Sequence, residues 1–148
     1  MPYAARILVP TDFSPLSSVA LEHAIALASL CRASIHLLHV RTDARGQVND
    51  DDRHLAGLVS RCHAEALVVT SQVCSGQPAA IIAQVAADRA VDLIVLGTHG
   101  RHGVAHLILG SVAEHIVRTA PCPVLTVRGL VPDRVEEPTG DALVLLPN

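Results

Sequence analysis

The sequence has very few aromatic residues. It contains one tyrosine, one phenylalanine and no tryptophan in 148 residues. Proteins that bind single-stranded nucleic acids usually stack the bases on aromatic side chains beside a basic groove. The net charge of −3 also gives no broad attraction to DNA or to an anionic membrane surface. We therefore expect neither a nucleic acid nor a membrane among the partners of this protein.

Long apolar segments and paired cysteines are absent as well. No apolar run approaches the roughly 20 residues that a helix needs to span a bilayer, and the first residues lack the pattern of a signal peptide. We expect a cytoplasmic protein, in which thiols normally stay reduced. The four cysteines form no Cys-x-x-Cys pair, so they predict neither a redox motif nor a zinc knuckle. We expect Cys31 and Cys62 to be buried or half-buried helix residues.

Half of the residues are hydrophobic, which suits a parallel sheet covered by helices, in one domain with a buried core. Apolar runs predict strands at 4–10, 34–40, 67–73, 93–96 and 123–128. Helical patterns predict helices from Pro15 to about Cys31, over 53–66 and 79–90, and from Gly110-Ser111 onward. The alternation predicts an α/β fold, an open, doubly wound, five-stranded parallel sheet of the flavodoxin/Rossmann-like type. We expect strand order 3-2-1-4-5 and helices on both faces.

Two of the predicted helices carry apolar residues at regular intervals. In the first helix, the residues at helical spacing are Leu16, Val19, Ala20, His23, Ala24, Leu27 and Leu30. In the second, we expect these residues to face inward: Leu55, Leu58, Val59, Cys62 and Ala66. Ser14 is the predicted N-cap of the first helix, with Pro15 at its first position. The acidic run 50–52 is expected to cap the second helix.

A glycine-rich loop follows the fourth strand. Gly97, Gly100 and Gly103 come directly after the apolar run, and Ser111 and Glu114 have the spacing of a capping box at a helix start. The first turn of a helix presents free N–H groups and attracts phosphate. The pattern therefore predicts an anion cradle. Glycine loops after strands are also common in α/β domains without a ligand, so this alternative stays open.

Two standard phosphate-binding fingerprints are missing from the sequence. There is no Gly-x-x-x-x-Gly-Lys-Ser/Thr, and the glycines of the loop do not form Gly-x-Gly-x-x-Gly. These absences weigh against a P-loop and against a dinucleotide-binding site.

The spacing Gly97-x2-Gly100-x9-Gly110-Ser111 resembles the nucleotide-binding signature of ATP-binding universal stress proteins. The residues from Val124 to Val127 are similar to the last strand of that family, and the likeness covers residues 4–128. The resemblance implies binding of ATP, with Mg²⁺ or Mn²⁺, at the carboxyl edge of the sheet. It also implies a nucleotide-dependent switch in stress response or signalling, and a homodimer formed through the fifth strand, residues 123–128.

The resemblance implies a set of nucleotide contacts at matching positions. The residues that border the nucleotide are Pro10, Thr11 and Asp12. Val40 lies near adenine, and Gly97 approaches the ribose. The residues that surround the phosphates, through backbone N–H groups and the serine hydroxyl, are Gly100, Gly110, Ser111 and Val112. Arg101 is added to this set because of its charge, and His99 is expected to line the phosphate loop or face water.

Asp12 follows the first strand at its carboxyl end, beside a helix start. Ligands collect at this edge of open α/β sheets, but a carboxylate here could equally serve only the helix dipole. The residues alone leave both readings open. In the universal stress protein family, the matching aspartate lies at the nucleotide, near the ribose. Mg²⁺ usually takes one or two carboxylates plus phosphate oxygens, so Asp12 could hold a metal carried by ATP, and we expect no metal site formed by the protein alone.

Catalytic and zinc chemistry have little support in the sequence. Ser111 and His115 are spaced like a nucleophile and base on one helix, but there is no Gly-x-Ser-x-Gly elbow. We expect a binding protein without catalytic residues, with slow ATP hydrolysis at most. A nucleotide-free interaction protein and a slow ATPase stay open as alternatives.

Histidines are numerous, and three of them lie close together, His99, His102 and His106. No nearby cysteine or carboxylate completes a structural zinc set, so we expect no zinc. His36 and His39 are expected to be strand residues with local hydrogen bonds.

The residues after the fifth strand lie outside the family likeness. We expect one universal stress protein domain over residues 1–128 and an extension over 129–148. The first part of the extension, rich in proline and acidic residues, is typical of a linker. The apolar run 142–146 is expected to pack on its own domain or on a dimer partner.

Overall fold

The computed structural model describes residues 5–43, 48–98 and 109–129. Strands and helices alternate along these residues. They are β1 (Arg6–Thr11), α1 (Pro15–Cys31), β2 (Ser34–Arg41), α2 (Val48–Ala64), β3 (Val69–Ser75), α3 (Pro78–Asp88), β4 (Leu93–Gly97), α4 (Ser111–Thr119) and β5 (Val124–Val127). No helix in this part of the chain is both long enough and apolar enough to cross a membrane.

The strands form one parallel sheet in the order β3-β2-β1-β4-β5. This confirms the predicted fold. The strand order reverses at β1, since β2 and β3 lie on one side of it and β4 and β5 on the other. β1 and β2 stay paired to the carboxyl end of β1, where Thr11 is opposite His39. β1 and β4 pair through Ile7 and Leu93 and through Leu8 and Ile94.

Two hydrophobic cores lie on opposite faces of the sheet. Successive residues of a strand point to opposite faces, and β1 places Ile7 and Val9 in one core and Leu8 in the other. Helices α1 and α2 complete the first core with Leu21, Ile25, Leu55 and Cys62. Helices α3 and α4 complete the second with Ile82, Val85 and Ile116. The prediction of helices on both faces is therefore confirmed.

The residues of α1 that are buried differ from those that the sequence places at helical spacing. The buried residues are Ser17, Ala20, Leu21, Ala24, Ile25 and Ala28, whereas Leu30 is 82% exposed. Only Ala20 and Ala24 belong to both sets. The reason is that alanine and aliphatic residues occur all round this helix, so the apolar period does not single out one face.

The inward face of α2 is mostly as predicted. Leu55 and Cys62 are buried, and Leu58 and Val59 pack against the same core. Ala66 was wrongly included, since it is exposed and lies beyond the end of the helix. Cys31 is half-buried and Cys62 is buried, as expected, and burial raises the pKa of the Cys62 thiol.

Three helices end in a left-handed residue that is not glycine. These residues are Arg32, Ala66 and Ala90, with φ values of 56°, 57° and 50°. After α3, the N–H of Val91 donates to Ala86 O at 3.0 Å, and the N–H of Ala90 donates to Ala87 O at 3.1 Å. This is the Schellman pattern, in which glycine is the usual left-handed residue. The predicted ends of α2 and α3 were two residues too late because no glycine marks them.

Replacing Ala90 with glycine should stabilise the fold. Glycine adopts a left-handed φ without the steric cost that a Cβ brings, so Ala90→Gly should raise the free energy of unfolding by about 1 kcal/mol. The matched control is Ala26→Gly, an exposed alanine inside α1, which should lower it by about 0.5–1 kcal/mol. Urea denaturation measures both. A loss of stability in Ala90→Gly would contradict the left-handed conformation.

Candidate functional site

The carboxyl edge of the sheet brings five of the predicted residues together. Thr11 ends β1 opposite His39, so Val40 lies one residue beyond the end of β1. Pro10 and Asp12 flank Thr11 at the same edge. Gly97 ends β4 and is paired with Val127 of β5. Ligands of open α/β sheets bind at this edge, where the strand order reverses.

The start of α4 is tied to the same edge by two backbone hydrogen bonds. Thr98, the residue after β4, is buried, and its N–H donates to Val127 O at 3.0 Å. Its carbonyl accepts a hydrogen bond from the N–H of Gly110. The chain returns to the end of β4 immediately before α4 begins. The structure therefore places Gly110, Ser111 and Val112 at the edge that also holds Gly97.

The helix start at Gly110 and Ser111 is as predicted, but the capping box is wrong. Gly110 is the N-cap, Ser111 is the first helical residue, and no side chain provides a cap hydrogen bond. The carboxylate of Glu114 instead accepts a hydrogen bond from Arg118 Nη2 at 2.8 Å, one turn further on. The first turn of α4 thus presents N–H groups without a side-chain cap, next to the exposed Ser111. Such a turn favours an anion.

The two glycines of the site differ in whether the fold requires them. Gly110 has φ −72° and ψ 166°, a conformation that any residue adopts, so its backbone does not require glycine. Gly97 is required by packing, because a Cβ there would lie 2.8 Å from Leu16 Cγ of α1. The sequence indicated that Gly97 lets a ligand approach the backbone closely. It did not reveal the contact with Leu16, because that contact depends on how α1 crosses β4.

Asp12 forms part of the turn between β1 and α1. Its Oδ1 accepts a hydrogen bond from the N–H of Ser14 at 3.0 Å. Burial opposes ionisation of the carboxyl group, but hydrogen bonds from Ser14 and Ser17 outweigh it and lower the pKa below 3.8. Asp12 is therefore an anion at neutral pH that takes part in the local structure of the turn. Ser14 caps α1 as predicted, since its hydroxyl accepts from the N–H of Ser17 at 3.2 Å.

Thr11 is buried, and its hydroxyl is used within the same turn. Its Oγ1 accepts from the N–H of Phe13 at 3.1 Å and lies 3.2 Å from Ser17 Oγ. Phe13 has a φ of 63°, which is uncommon for a bulky residue and marks strain. The hydroxyl of Thr11 is therefore engaged in the local structure of the turn.

A charged cluster behind this turn was missed at the sequence level. His39 Nδ1 lies 2.9 Å from Thr11 O, and His39 Nε2 lies 3.6 Å from Asp51 Oδ2. Arg41 Nε donates to the same Asp51 oxygen at 2.7 Å. The acidic run lies in the first turn of α2, which begins at Val48 rather than at 53. A clue was available, because His39 and Arg41 flank Val40 on β2.

His36 has the local hydrogen bonds that were expected. Its ring nitrogens lie 2.6 Å from Thr70 Oγ1 and 3.1 Å from Gln72 Oε1 on the neighbouring strand. Burial lowers the pKa of His36 below its usual 6.5, and the charge of Arg89 acts in the same direction. This histidine belongs to the structure of the sheet.

Several predicted site residues lie outside the described residues. These are His99, Gly100 and Arg101. His102 and His106, which were considered with His99 as zinc ligands, also lie outside the described residues. The extension beyond Gly129 lies outside them too. In the described ranges 5–43, 48–98 and 109–129, no group of three or more His, Cys, Asp or Glu side chains could hold a metal ion.

Comparison with known proteins agrees with this architecture. The model of the universal stress protein family matches residues 4–128. The chain is 30% identical over 138 residues to universal stress protein MJ0531 of Methanocaldococcus jannaschii, covering 83% of this chain and 81% of that protein. The solved structure of MJ0577 of that organism superposes with a TM-score of 0.80 at 26% identity, over 88% of this chain and 99% of that one.

A more distant structure shows the same fold. It is a universal stress protein family member from Arabidopsis thaliana with AMP bound, with a TM-score of 0.66 and 22% identity. It covers 90% of this chain and 98% of that one. The fold defines a doubly wound α/β domain in which the strand order reverses at β1. The chain belongs to the universal stress protein family, which confirms the resemblance seen in the sequence.

The contact between Gly97 and Leu16 predicts a specific stability effect. Gly97→Ala should lower the free energy of unfolding by about 1–3 kcal/mol, because the added methyl group overpacks the interface of α1 with β4. The same substitution should cost less in a Leu16→Ala background, where the space exists. Urea denaturation of the four proteins measures the coupling.

The control for this double-mutant cycle of Gly97 and Leu16 is Gly57→Ala. Gly57 lies inside α2, and a Cβ there would meet nothing within 4 Å. This change should stabilise the protein by about 0.5–1 kcal/mol, since alanine favours helix. An equal cost of Gly97→Ala in both backgrounds would show that Leu16 is not the reason for the glycine.

Proposed function

We propose that this universal stress protein binds ATP, with Mg²⁺ or Mn²⁺, at the carboxyl edge of its sheet. The observation that carries the proposal is the start of α4. Its N–H groups lack a side-chain cap, and the Gly110 to Thr98 hydrogen bond holds it beside the end of β4. The relative from Arabidopsis thaliana that has AMP bound supports an adenine nucleotide as the ligand class.

The phosphate end of the ligand would lie at α4. The N–H groups of Ser111 and Val112 and the Ser111 hydroxyl are donors that suit a phosphate oxygen, and charge-assisted hydrogen bonds of this kind are strong. Gly110 has no side chain, so a phosphate can approach its backbone closely. Ser111 is exposed and Val112 is half-buried, so neither is enclosed in the core.

The nucleoside end would lie at β1 and β2. Pro10 and Val40 are half-buried at the ends of these strands and offer apolar contact to the base. The ionised Asp12 can accept a hydrogen bond from the ribose. It is also the described carboxylate best placed to hold the metal ion through the phosphates. Gly97 would approach the ribose from β4, in addition to its packing role.

The loop between β4 and α4 completes the proposed site. His99, Gly100 and Arg101 are assigned to it from the sequence, with Arg101 as the cation facing the phosphates. The choice of ATP over AMP depends on these residues and on the start of α4. We propose that the bound nucleotide acts as a switch in stress response or signalling in the cytoplasm, and that binding rather than turnover is the activity.

Substitutions at the start of α4 should weaken nucleotide binding. Ser111→Ala removes a donor to a charged group and should cost about 1.5–3 kcal/mol, an affinity loss of roughly 10- to 100-fold. Gly110→Val should do at least as much by blocking the approach of the phosphates. Isothermal titration with Mg·ATP and with AMP measures both losses.

The matched control is Ser60→Ala, an exposed serine inside α2, which should bind like the wild type. Because Ser111 faces the phosphates, its loss should weaken ATP more than AMP. Unchanged affinity in both α4 variants would reject the site.

A homodimer formed through β5 is the second part of the proposal. β5 is an edge strand of the sheet, and unpaired edges favour pairing with a second copy. Pro123 O accepts a hydrogen bond from Ile94 of β4, and Val127 O accepts one from Thr98, the residue after β4. Backbone groups alternate in direction along a strand, so the N–H of Thr126 points away from β4. Leu125 is 38% exposed at this edge.

Removing the outward N–H of Thr126 should shift the protein towards monomer. Thr126→Pro deletes that donor while leaving the bonds to β4 intact, and proline is tolerated on edge strands. Thr126→Val keeps the N–H and should remain dimeric. Sedimentation equilibrium at several protein concentrations distinguishes them. A wild-type monomer, or a Thr126→Pro dimer of unchanged affinity, would exclude this interface.

A further inference from the structure

His39 links the turn at Asp12 to helix α2. The side chain is buried, and its Nδ1 lies 2.9 Å from the carbonyl oxygen of Thr11. A carbonyl oxygen only accepts hydrogen bonds, so Nδ1 carries a proton and donates it. The other ring nitrogen, Nε2, is then the atom directed at Asp51 Oδ2, 3.6 Å away.

The hydrogen bond from His39 acts on the peptide unit that precedes Asp12. Peptide units are planar, so fixing the carbonyl of Thr11 also fixes the direction of the Asp12 N–H. On the α1 side, Ser14 and Ser17 hold the side chains of Asp12 and Thr11. His39 holds the backbone between them from the β2 side.

Phe13, the strained residue of the turn, packs against the same histidine. The ring centroid of Phe13 lies 4.4 Å from that of His39 and 5.1 Å from that of His54 in α2. A left-handed conformation of a bulky residue persists only when its surroundings impose it. The rings of His39 and His54 supply that support from β2 and α2.

Helix α2 is attached to this arrangement through its first turn. Arg41 Nε holds the Asp51 oxygen that faces His39, at 2.7 Å, and Arg41 Nη2 lies 3.6 Å from Asp52 Oδ1. His39 and Arg41 point to the face of the sheet covered by α2, whereas Val40 between them packs against the other core. The first turn of α2 thus contacts His39 and Arg41, the two residues that flank Val40 on β2.

We propose that His39 is a positioning residue of the nucleotide site, which holds the Thr11 carbonyl in place and connects it through Asp51 to the first turn of α2. The proposal rests on the proposed nucleotide binding. It adds a residue that lies behind the Thr11–Asp12 backbone and acts through it.

The test compares two substitutions of His39 with one of His36. His39→Leu removes both ring nitrogens, whereas His39→Asn keeps an amide donor close to the position of Nδ1. Affinity for Mg·ATP should fall at least 10-fold in His39→Leu and at most about 3-fold in His39→Asn. His36→Leu is the matched control, because it removes another buried histidine of β2 that bonds to β3. This control should lose stability in urea but keep wild-type affinity.

A second readout needs no nucleotide. Hydrogen exchange of the backbone amides at Asp12 and Phe13, in the free protein, should speed up at least 10-fold in His39→Leu. It should stay near wild type in His39→Asn and His36→Leu. This measurement also shows whether each variant is folded, through the protection of β1 and β4.

The link to α2 has its own pair of variants. Asp51→Ala removes the carboxylate that faces His39 and should weaken Mg·ATP binding about 3-fold. Asp52→Ala, its more exposed neighbour, should not change the affinity. Equal effects of the two substitutions would remove α2 from the proposal.

The outcomes separate the two proposals. A wild-type protein without measurable ATP binding ends the proposed function, and the exchange rates then decide whether His39 holds the turn. Wild-type affinity in a folded His39→Leu protein, or unchanged exchange at Asp12 and Phe13, overturns the role of His39. Equal losses in His39→Asn and His39→Leu also overturn it, because the retained donor should rescue binding.

Discussion

The reversal of strand order at β1 is the constraint on which the candidate site depends. Right-handed crossovers send α1 and α2 to one face of the sheet and α3 and α4 to the other. The carboxyl ends of β1 and β4 therefore meet where the two helical layers diverge. The hydrogen bond from Gly110 to Thr98 then returns the chain to this point before α4 begins. Without that return, the helix start would not lie beside the end of β4.

The strands were predictable because a strand that is buried on both faces consists of a run of apolar residues. Their bounds were missed by at most two residues, as in β3, which runs from Val69 to Ser75. Helix ends were harder. Arg32, Ala66 and Ala90 take the left-handed position that glycine usually marks, so no residue type indicated where the helices stop. The capping box failed because a backbone N-cap, Gly110, replaced the side-chain cap that Ser111 and Glu114 suggested.

The site was predictable as far as strand ends define it. Asp12 follows from its place after an apolar run, whereas Pro10, Thr11 and Val40 were assigned from the family resemblance; the structure places all four at the carboxyl edge. Contacts between elements distant in sequence were not predictable. The packing of Gly97 against Leu16 depends on where α1 crosses β4, and the bridge from His39 to Asp51 depends on where α2 begins. Both are tertiary effects. The pattern of His39 and Arg41 around Val40 was a clue to the second, but it did not identify Asp51 as the partner.

Leu16 also lies close to Gly129, the last residue that the structure describes. A Cβ on Gly129 would lie 3.3 Å from Leu16 Cδ1, so Gly129 is beside the first turn of α1, at the carboxyl edge of the sheet. The described chain begins with Ala5 at the opposite edge, roughly 20 Å away along the six residues of β1. A fluorescent reporter joined near Ala5 would therefore stay clear of the candidate site, whereas a fusion made directly after Gly129 would start at the same edge of the sheet as that site.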